Sequence, residues 1–210
     1  IEALIARKAA EQRQKQAEVL VAFMLTDLND RLREVQRLDI LEAVDNQAMA
    51  YFSSLPLHDV TDQTLALRSK ALQKIGNVRQ DEGQLAAALE SYLAASELGA
   101  ELLRRSPDDA EREAAYAETL NHLGNAQYFQ GDRDRALESF TRAAELLARA
   151  TAGRPQDDWL EVLSSARTNA GRVLETRGEF EAARKLYGSV LATATLLASR
   201  QPGDVPRQAD

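Results

Sequence analysis

The sequence predicts an all-α fold built from repeated antiparallel helix pairs, and two observations support this prediction. First, the 210 residues include 36 Ala and 30 Leu but only 5 Pro and 10 Gly, so good helix formers dominate the composition. Second, five residue markers recur along the chain at a spacing of 47 to 48 residues. A period of this size is typical of a solenoid, in which each helix pair packs against the next.

The five markers are, in chain order, a first glycine, a second glycine, an alanine, an aromatic residue and a proline. The first glycine and the alanine let two helices approach closely, and the aromatic residue fills the gap to the next pair. The second glycine suits a left-handed residue that ends a helix, and the proline stands where the next helix starts. The three copies are Gly76, Gly83, Ala88, Tyr92, Pro107; Gly124, Gly131, Ala136, Phe140, Pro155; and Gly171, Gly178, Ala183, Tyr187, Pro202.

This pattern resembles the tetratricopeptide repeat, in which W-x2-L-G-x2-Y is followed by A-x3-F and then by P. The second copy matches best, with Leu120-x2-Leu123-Gly124 and Ala136-x3-Phe140. The resemblance implies a right-handed superhelical solenoid of antiparallel helix pairs whose first helices line a concave groove. The family repeat has about 34 residues, so the longer spacing here predicts that both helices of each pair gain about two turns.

A long N-terminal helix is expected before the repeats, over residues 1–36. Leu20, Met24 and Leu28 recur at helical spacing and should dock on the repeats. Residues 1–18 have few apolar residues, so they are either a frayed tail or a connector that could self-associate.

A helical cap and a loop are expected over residues 37–60. Asp39 and Glu42 form a capping-box pattern at the start of a helix over 39–54. The repeats follow at 61–107, 108–154 and 155–202, and 203–210 starts a further repeat or a tail. The helices expected in the repeats are 61–81, 84–106, 108–130, 133–152, 156–177 and 180–200.

The residue inventory leaves little room for catalysis. Cysteine is absent and the only histidines are His58 and His122, which excludes disulfides, thiolate nucleophiles and Cys/His zinc sites. The sequence contains no phosphate-binding loop and no metalloprotease or hydrolase motif. An enzyme would depend on Glu118 and Glu175, for which the sequence offers no orienting partner. We therefore expect a non-enzyme without cofactor or metal.

The other conspicuous side chains have structural interpretations. The acidic pairs Asp132/Asp134 and Asp157-Asp158 each fall at a predicted helix start, where carboxylates favour the helix dipole. Trp159 is interpreted as packing against a neighbouring helix rather than as an exposed binding platform.

Charge and hydropathy exclude two classes of partner. The net charge is −7 and the 26 basic residues are dispersed, so we expect no binding of nucleic acid. No apolar run approaches the roughly 18 residues that span a bilayer, so no membrane insertion is expected within this segment. The sequence begins at Ile1 without a signal-peptide pattern, which favours the cytoplasm unless a membrane span precedes residue 1.

The family resemblance also places the candidate binding residues, on the first helix of each pair. Asn77 and Asn125 follow the first glycine marker, and an asparagine amide can both donate to and accept from a peptide backbone. Arg172 takes this position in the third copy and could hold an acidic group. The alternative is that these are ordinary polar surface residues. The candidate groove comprises Lys70, Gln73, Asn77, Glu118, Asn121, Asn125, Tyr128, Ser165, Thr168 and Arg172.

Two functions therefore remain open. The first is a non-catalytic scaffold that binds a protein or peptide segment in the groove. The second is a regulatory or oligomerisation module of a larger bacterial signalling protein, with self-association through residues 1–36. The second follows from a resemblance of residues 19–60 to the region after effector domains in bacterial multidomain proteins.

Overall fold

The computed structural model describes residues 61–200, together with the helical positions 12, 13, 16, 17, 20, 43, 47 and 50. The connector helix 1–36, the cap and loop 37–60 and the segment 203–210 otherwise lie outside the described residues, as does His58. The signalling alternative, which depends on residues 19–60, therefore also lies largely outside them.

Residues 61–200 form six α-helices and no strand, so the all-α prediction is confirmed for this part of the chain. Each helix has 20 or 21 residues, which corresponds to about 30 Å. The helices are α1 (Asp62–Asp81), α2 (Leu85–Arg105), α3 (Ala110–Phe129), α4 (Arg133–Gly153), α5 (Asp157–Thr176) and α6 (Phe180–Arg200).

The helices divide into two compact units. Unit 1 ends at Arg105 and contains α1 packed on α2. Unit 2 starts at Ser106 and contains the pairs α3/α4 and α5/α6. Within unit 2, α5 also packs on α4 and contacts α3, so the two pairs are stacked with their first helices as neighbours.

The turn inside each pair has the same backbone geometry. Gly83, Gly131 and Gly178 have φ angles of +77°, +88° and +77°, the left-handed conformation that glycine adopts without strain. In the first turn, the amide N–H of Gln84 donates to the carbonyl of Arg79, which closes the helix end. The same bond recurs in the other two turns, and the predicted role of the second glycine marker is confirmed.

Acidic side chains begin the helices of unit 2, as the sequence predicts. The Asp132 carboxylate accepts from the backbone N–H of Arg135 at 3.2 Å and caps α4. Asp109 caps α3 in the same way, and Asp157 and Asp158 lie in the first turn of α5. These carboxylates satisfy helix N–H groups or lie where the helix dipole favours negative charge.

The core of each pair is a seam between a glycine and an aromatic ring. A Cβ atom at Gly76, Gly124 or Gly171 would lie 2.5 to 2.7 Å from the aromatic ring of its own pair. In unit 2, Phe140 also clusters with Ala170 and Val173 of α5, so this aromatic residue fills the gap to the next pair as predicted.

The last helix presents a largely exposed face. Helix α4 buries seven residues because α5 covers it, whereas α6 buries only Ala183 and Thr193. No helix of residues 61–200 covers the corresponding face of α6, and Leu191 is 69% exposed there.

Candidate functional site

All ten predicted groove residues lie on first helices of the pairs. Lys70, Gln73 and Asn77 lie on α1 of unit 1, where Lys70 is exposed and the other two are half-buried. The remaining seven lie in unit 2, four on α3 and three on α5. Because α3 and α5 are in contact, these seven residues belong to neighbouring helices of one unit.

Asn77 is engaged within its own helix pair. The Tyr92 hydroxyl on α2 donates to Oδ1 of Asn77 at 2.8 Å and also approaches Oε1 of Gln80 at 3.5 Å. This bond satisfies the hydroxyl of a fully buried tyrosine. The Asn77 oxygen is therefore partly occupied before any ligand binds.

Asn125 occupies the equivalent position of the second pair, but its side chain is not engaged. The aromatic residue of this pair is Phe140, which has no hydroxyl to donate. The half-buried Asn125 amide has no hydrogen-bond partner within residues 61–200. One tyrosine-to-phenylalanine difference between the repeats thus leaves both the donor and the acceptor of Asn125 available.

In the third pair, the tyrosine hydroxyl donates to a glutamate instead of an asparagine. The Tyr187 hydroxyl donates to Oε2 of Glu175 at 2.9 Å. Burial of the ring raises the pKa of Tyr187, and the Glu175 carboxylate adds to this shift. Arg172, which replaces the asparagine, turns toward α3 instead. Glu175 is thereby tied to a tyrosine.

A chain of side-chain amides connects α3 to α5. Asn169, buried to 9% exposure, donates from Nδ2 to Oδ1 of Asn121 at 3.2 Å. Asn121 in turn donates to the Ser165 hydroxyl at 3.3 Å, and Arg172 donates to Oδ1 of Asn169 at 2.9 Å. These bonds tie the first helices of the two pairs together beneath the candidate face.

Asn169 is not among the predicted groove residues, although its amide belongs to this chain of hydrogen bonds. Its position, two residues before the first glycine marker, is where His122 and Lys74 stand in the other copies, so the repeat alignment gave no hint of it. Asn121 aligns with Thr168 rather than with Asn169, because the second and third copies are 47 residues apart, so only the packing of α5 on α3 brings the two amides together.

Tyr128 and Arg172 form the exposed end of this chain. The guanidinium carbon of Arg172 lies 4.9 Å from the centroid of the Tyr128 ring, a cation–π contact. Phe129 meets the same ring edge-on, with 6.0 Å between centroids, and is 58% exposed. The C-terminal halves of α3 and α5 thus present a cation, an aromatic edge and the Asn125 amide.

The N-terminal half of these two helices carries an open cleft of about 380 Å³. Glu118 lies on its rim, and Trp159 is half-buried in its wall, so the indole both packs against the helices and faces the cleft. Ser165 and Thr168 are exposed further along α5. The lining residues are Glu111, Ala114, Ala115, Glu118, Leu147, Gln156, Asp158, Trp159 and Val162.

His122 lies on α3, one turn after Glu118 of the cleft. Burial lowers the pKa of its imidazole, and the nearby Glu118 carboxylate opposes the shift. Within residues 61–200, no group of three or more His, Asp or Glu side chains is arranged to hold a metal ion. None of the described helices combines the length and apolar character that a membrane span requires.

Stacked helix pairs with glycine–aromatic seams and a polar first-helix face define a helical-repeat protein. The family model of the tetratricopeptide repeat matches residues 119–156, and the same seam recurs in the helix pairs on either side. Residues 119–156 thus match a tetratricopeptide repeat, and repeats of this type serve as protein-interaction scaffolds.

No curated protein matches the chain. The crystal structure of BtubC (BKLC) from P. vanneervenii is 16% identical, with a TM-score of 0.48, over 98% of this chain and 90% of that one. Two crystal structures of MamA are 14% and 16% identical, with TM-scores of 0.38 and 0.34, over 90% and 83% of this chain and 98% of each MamA chain.

Proposed function

We propose that unit 2 binds an extended peptide segment of a partner protein along the face formed by α3 and α5. The observation that carries this proposal is the side-chain amide of Asn125. It is half-exposed, unpartnered within residues 61–200, and adjacent on α3 to the Tyr128 ring that stacks with Arg172.

A free asparagine amide suits a peptide backbone because it can donate to a carbonyl and accept from an N–H at the same time. Such contacts do not depend on the side chains of the ligand, so the affinity they provide tolerates many sequences. Tyr128 and Arg172 add an apolar surface and a cation that can select among ligands.

The amide chain between Asn121 and Asn169 prepares this face for binding. It fixes α3 relative to α5 and holds the Arg172 guanidinium through Oδ1 of Asn169. A pre-organised face loses less conformational entropy when a ligand binds. The polar surface continues along α5 with the exposed hydroxyls of Ser165 and Thr168. In unit 1, α1 carries a polar face of the same kind, which consists of Lys70, Gln73 and Asn77.

Selection of random peptides on the 210-residue chain tests this proposal. Peptides that enrich are synthesised, and their affinities are measured for the wild type, for Asn125→Ala and for Arg142→Ala, an exposed residue of α4. We expect Asn125→Ala to weaken binding about tenfold, since lost hydrogen bonds to a ligand cost about 1 kcal/mol each. Arg142→Ala should bind as the wild type does, and both variants should keep the wild-type melting temperature. Failure to enrich peptides, or equal affinity for Asn125→Ala, would overturn the proposal.

A further inference from the structure

The cleft at the N-terminal half of α3 and α5 has an apolar floor. Leu147 and Ala114 lie at its base with 1% and 5% exposure, and Trp159 and Val162 form the wall on α5. At about 380 Å³ the open cleft lies at the low end of the range of ligand pockets and has room for a long side chain. The floor therefore favours an aliphatic or aromatic group.

The rim of the cleft is acidic and contains no basic side chain. The carboxylates of Glu111, Glu118 and Asp158 line it, and within residues 61–200 none of the three forms an ion pair. Two other acids of the same helices are paired, Glu113 with Arg149 and Asp157 with Arg200, each at 2.7 Å. Within the described helices, the three carboxylates that face the cleft are not paired in this way, so they are available to a cation of a ligand.

An apolar floor beneath an acidic rim fits one kind of side chain in a protein ligand. Lys and Arg combine a three- or four-carbon stem with a cationic head, so the stem can cover the floor while the head reaches the carboxylates. The indole of Trp159 adds the best aromatic surface for a cation. An acidic side chain would be repelled, and a neutral apolar one would desolvate the carboxylates without pairing them.

We propose that this cleft holds the side chain of a Lys or Arg in the bound segment, so that the partner of unit 2 presents a basic residue. This inference rests on the proposed function, because Glu118 lies on the same helix as Asn125. Seven helical residues separate them, about 10 Å, which an extended peptide covers in about three residues. The basic residue of the partner thus lies about three positions from the peptide group that Asn125 holds.

Trp159 provides a direct readout, because it is the only tryptophan of the chain. The probes are synthetic nonapeptides of Ser and Ala that differ only in the central residue: Arg, Lys, citrulline, norleucine or Glu. Citrulline has the shape of Arg without its charge. We expect the Arg and Lys peptides to change Trp159 fluorescence saturably, with affinities at least tenfold higher than those of the other three peptides.

Two variants of equal net charge show whether the Arg peptide is bound by the rim carboxylates or attracted by the overall charge of the protein. Glu118→Gln/Asp158→Asn removes two rim carboxylates, whereas Glu138→Gln/Glu161→Gln removes two exposed carboxylates outside the cleft. The rim variant should bind the Arg peptide at least tenfold more weakly, and the control within about twofold of wild type. Raising the salt concentration from about 50 mM to about 500 mM should weaken the Arg peptide and leave the norleucine peptide unchanged. The salt series keeps the test decisive even if the rim variant folds poorly.

The possible outcomes distinguish this inference from the proposed function. Equal binding of the citrulline and Arg peptides, a preference for the Glu peptide, or no saturable change up to about 5 mM peptide would overturn the cationic site. If selected peptides still bind through Asn125 without a basic residue, the proposed function stands and only this inference fails. If Asn125→Ala has no effect while the Arg peptide still binds at Trp159, the groove proposal fails and the cleft remains a cation site.

Discussion

Gly124 on α3 lies so close to Phe140 on α4 that a Cβ atom at Gly124 would be 2.7 Å from the phenylalanine ring. Phe140 is fully buried and packs on Ala170 and Val173 of the next pair, so its ring cannot move aside without disturbing both pairs. The glycine thus determines how closely α3 and α4 approach, and the ring transmits that spacing to α5.

Gly124→Ala should therefore destabilise the protein. Overpacking a core lowers the free energy of unfolding by about 1–3 kcal/mol, whereas the better helix propensity of alanine raises it by at most about 1 kcal/mol. The net effect is a loss of stability. The matched control is Gly188→Ala on α6, where a Cβ atom would meet nothing within 4 Å and a gain of about 0.5–1 kcal/mol is expected. Urea unfolding followed by circular dichroism measures both, and a Gly124→Ala protein at least as stable as wild type would contradict the packing argument.

The Tyr92 phenol should make stability depend on pH in the alkaline range. Burial of the ring raises its pKa well above the ordinary value of 10.0, and the Asp81 carboxylate adds to this shift. The unfolded chain therefore releases this proton at lower pH than the folded one. The resulting stability is complete below about pH 10 and is lost as the pH rises above that value.

The comparison with Tyr92→Phe isolates this effect from other alkaline titrations. At about pH 8 the variant should be less stable by about 1 kcal/mol, because the hydrogen bond to Asn77 is lost. Above about pH 10 the difference should shrink, since only the wild type has a buried phenol at position 92 to ionise. Unfolding free energies measured across this range check the prediction, and a constant difference would be inconsistent with it.

Asn121 and Asn169 should be energetically coupled. Replacing either by Ala leaves the other amide with an unmet hydrogen bond in a buried position, at a cost of about 1–3 kcal/mol. The double variant should cost less than the sum of the single ones, with a coupling of about 1 kcal/mol in a double-mutant cycle. Thr168→Ala, at an exposed neighbouring position, should change stability by less than about 0.5 kcal/mol. If the stability losses of the two asparagine variants simply add, the hydrogen bond between them does not contribute to stability.

Two arginines of α4 should differ sharply in their importance for stability. Arg149 pairs with Glu113, whose side chain is only 8% exposed, so Arg149→Ala leaves a buried carboxylate uncompensated and should cost about 1–3 kcal/mol. Arg142 pairs with Glu145 at the surface, and Arg142→Ala should cost less than about 0.5 kcal/mol. Adding Glu113→Gln to Arg149→Ala should restore part of the loss. Thermal unfolding of the set tests this, and equal melting temperatures for the two arginine variants would count against it.

The helices and the turns between them could be predicted largely from local sequence. The expected helix over 133–152 lies within one residue of α4, and the second glycine markers have the left-handed conformation predicted for them. Such features depend on residues close in sequence, where propensity, capping and glycine geometry act. The expected helix over 108–130 began two residues early, because Asp109 caps α3 after a turn that contains Pro107.

The candidate site could be predicted only in part. Asn77 and Asn125 are equivalent in the repeat, yet one is engaged and the other free, because the residue that decides lies 15 positions later. The amide of Asn169 and the cleft at Trp159 involve contacts more than 40 residues apart along the chain. Their distances depend on how one pair packs on the next, which no local pattern encodes.

The sequence by itself determined the all-α class, the repeat period and the positions of the seams, because each depends on regularly spaced small and aromatic residues. Only the tertiary structure decided which polar groups are hydrogen-bonded or paired within the protein and which remain available to a ligand. That outcome depends on which side chains meet across the helices: Tyr92 occupies Asn77, Phe140 leaves Asn125 free, and the acids of one cleft find no cation within residues 61–200.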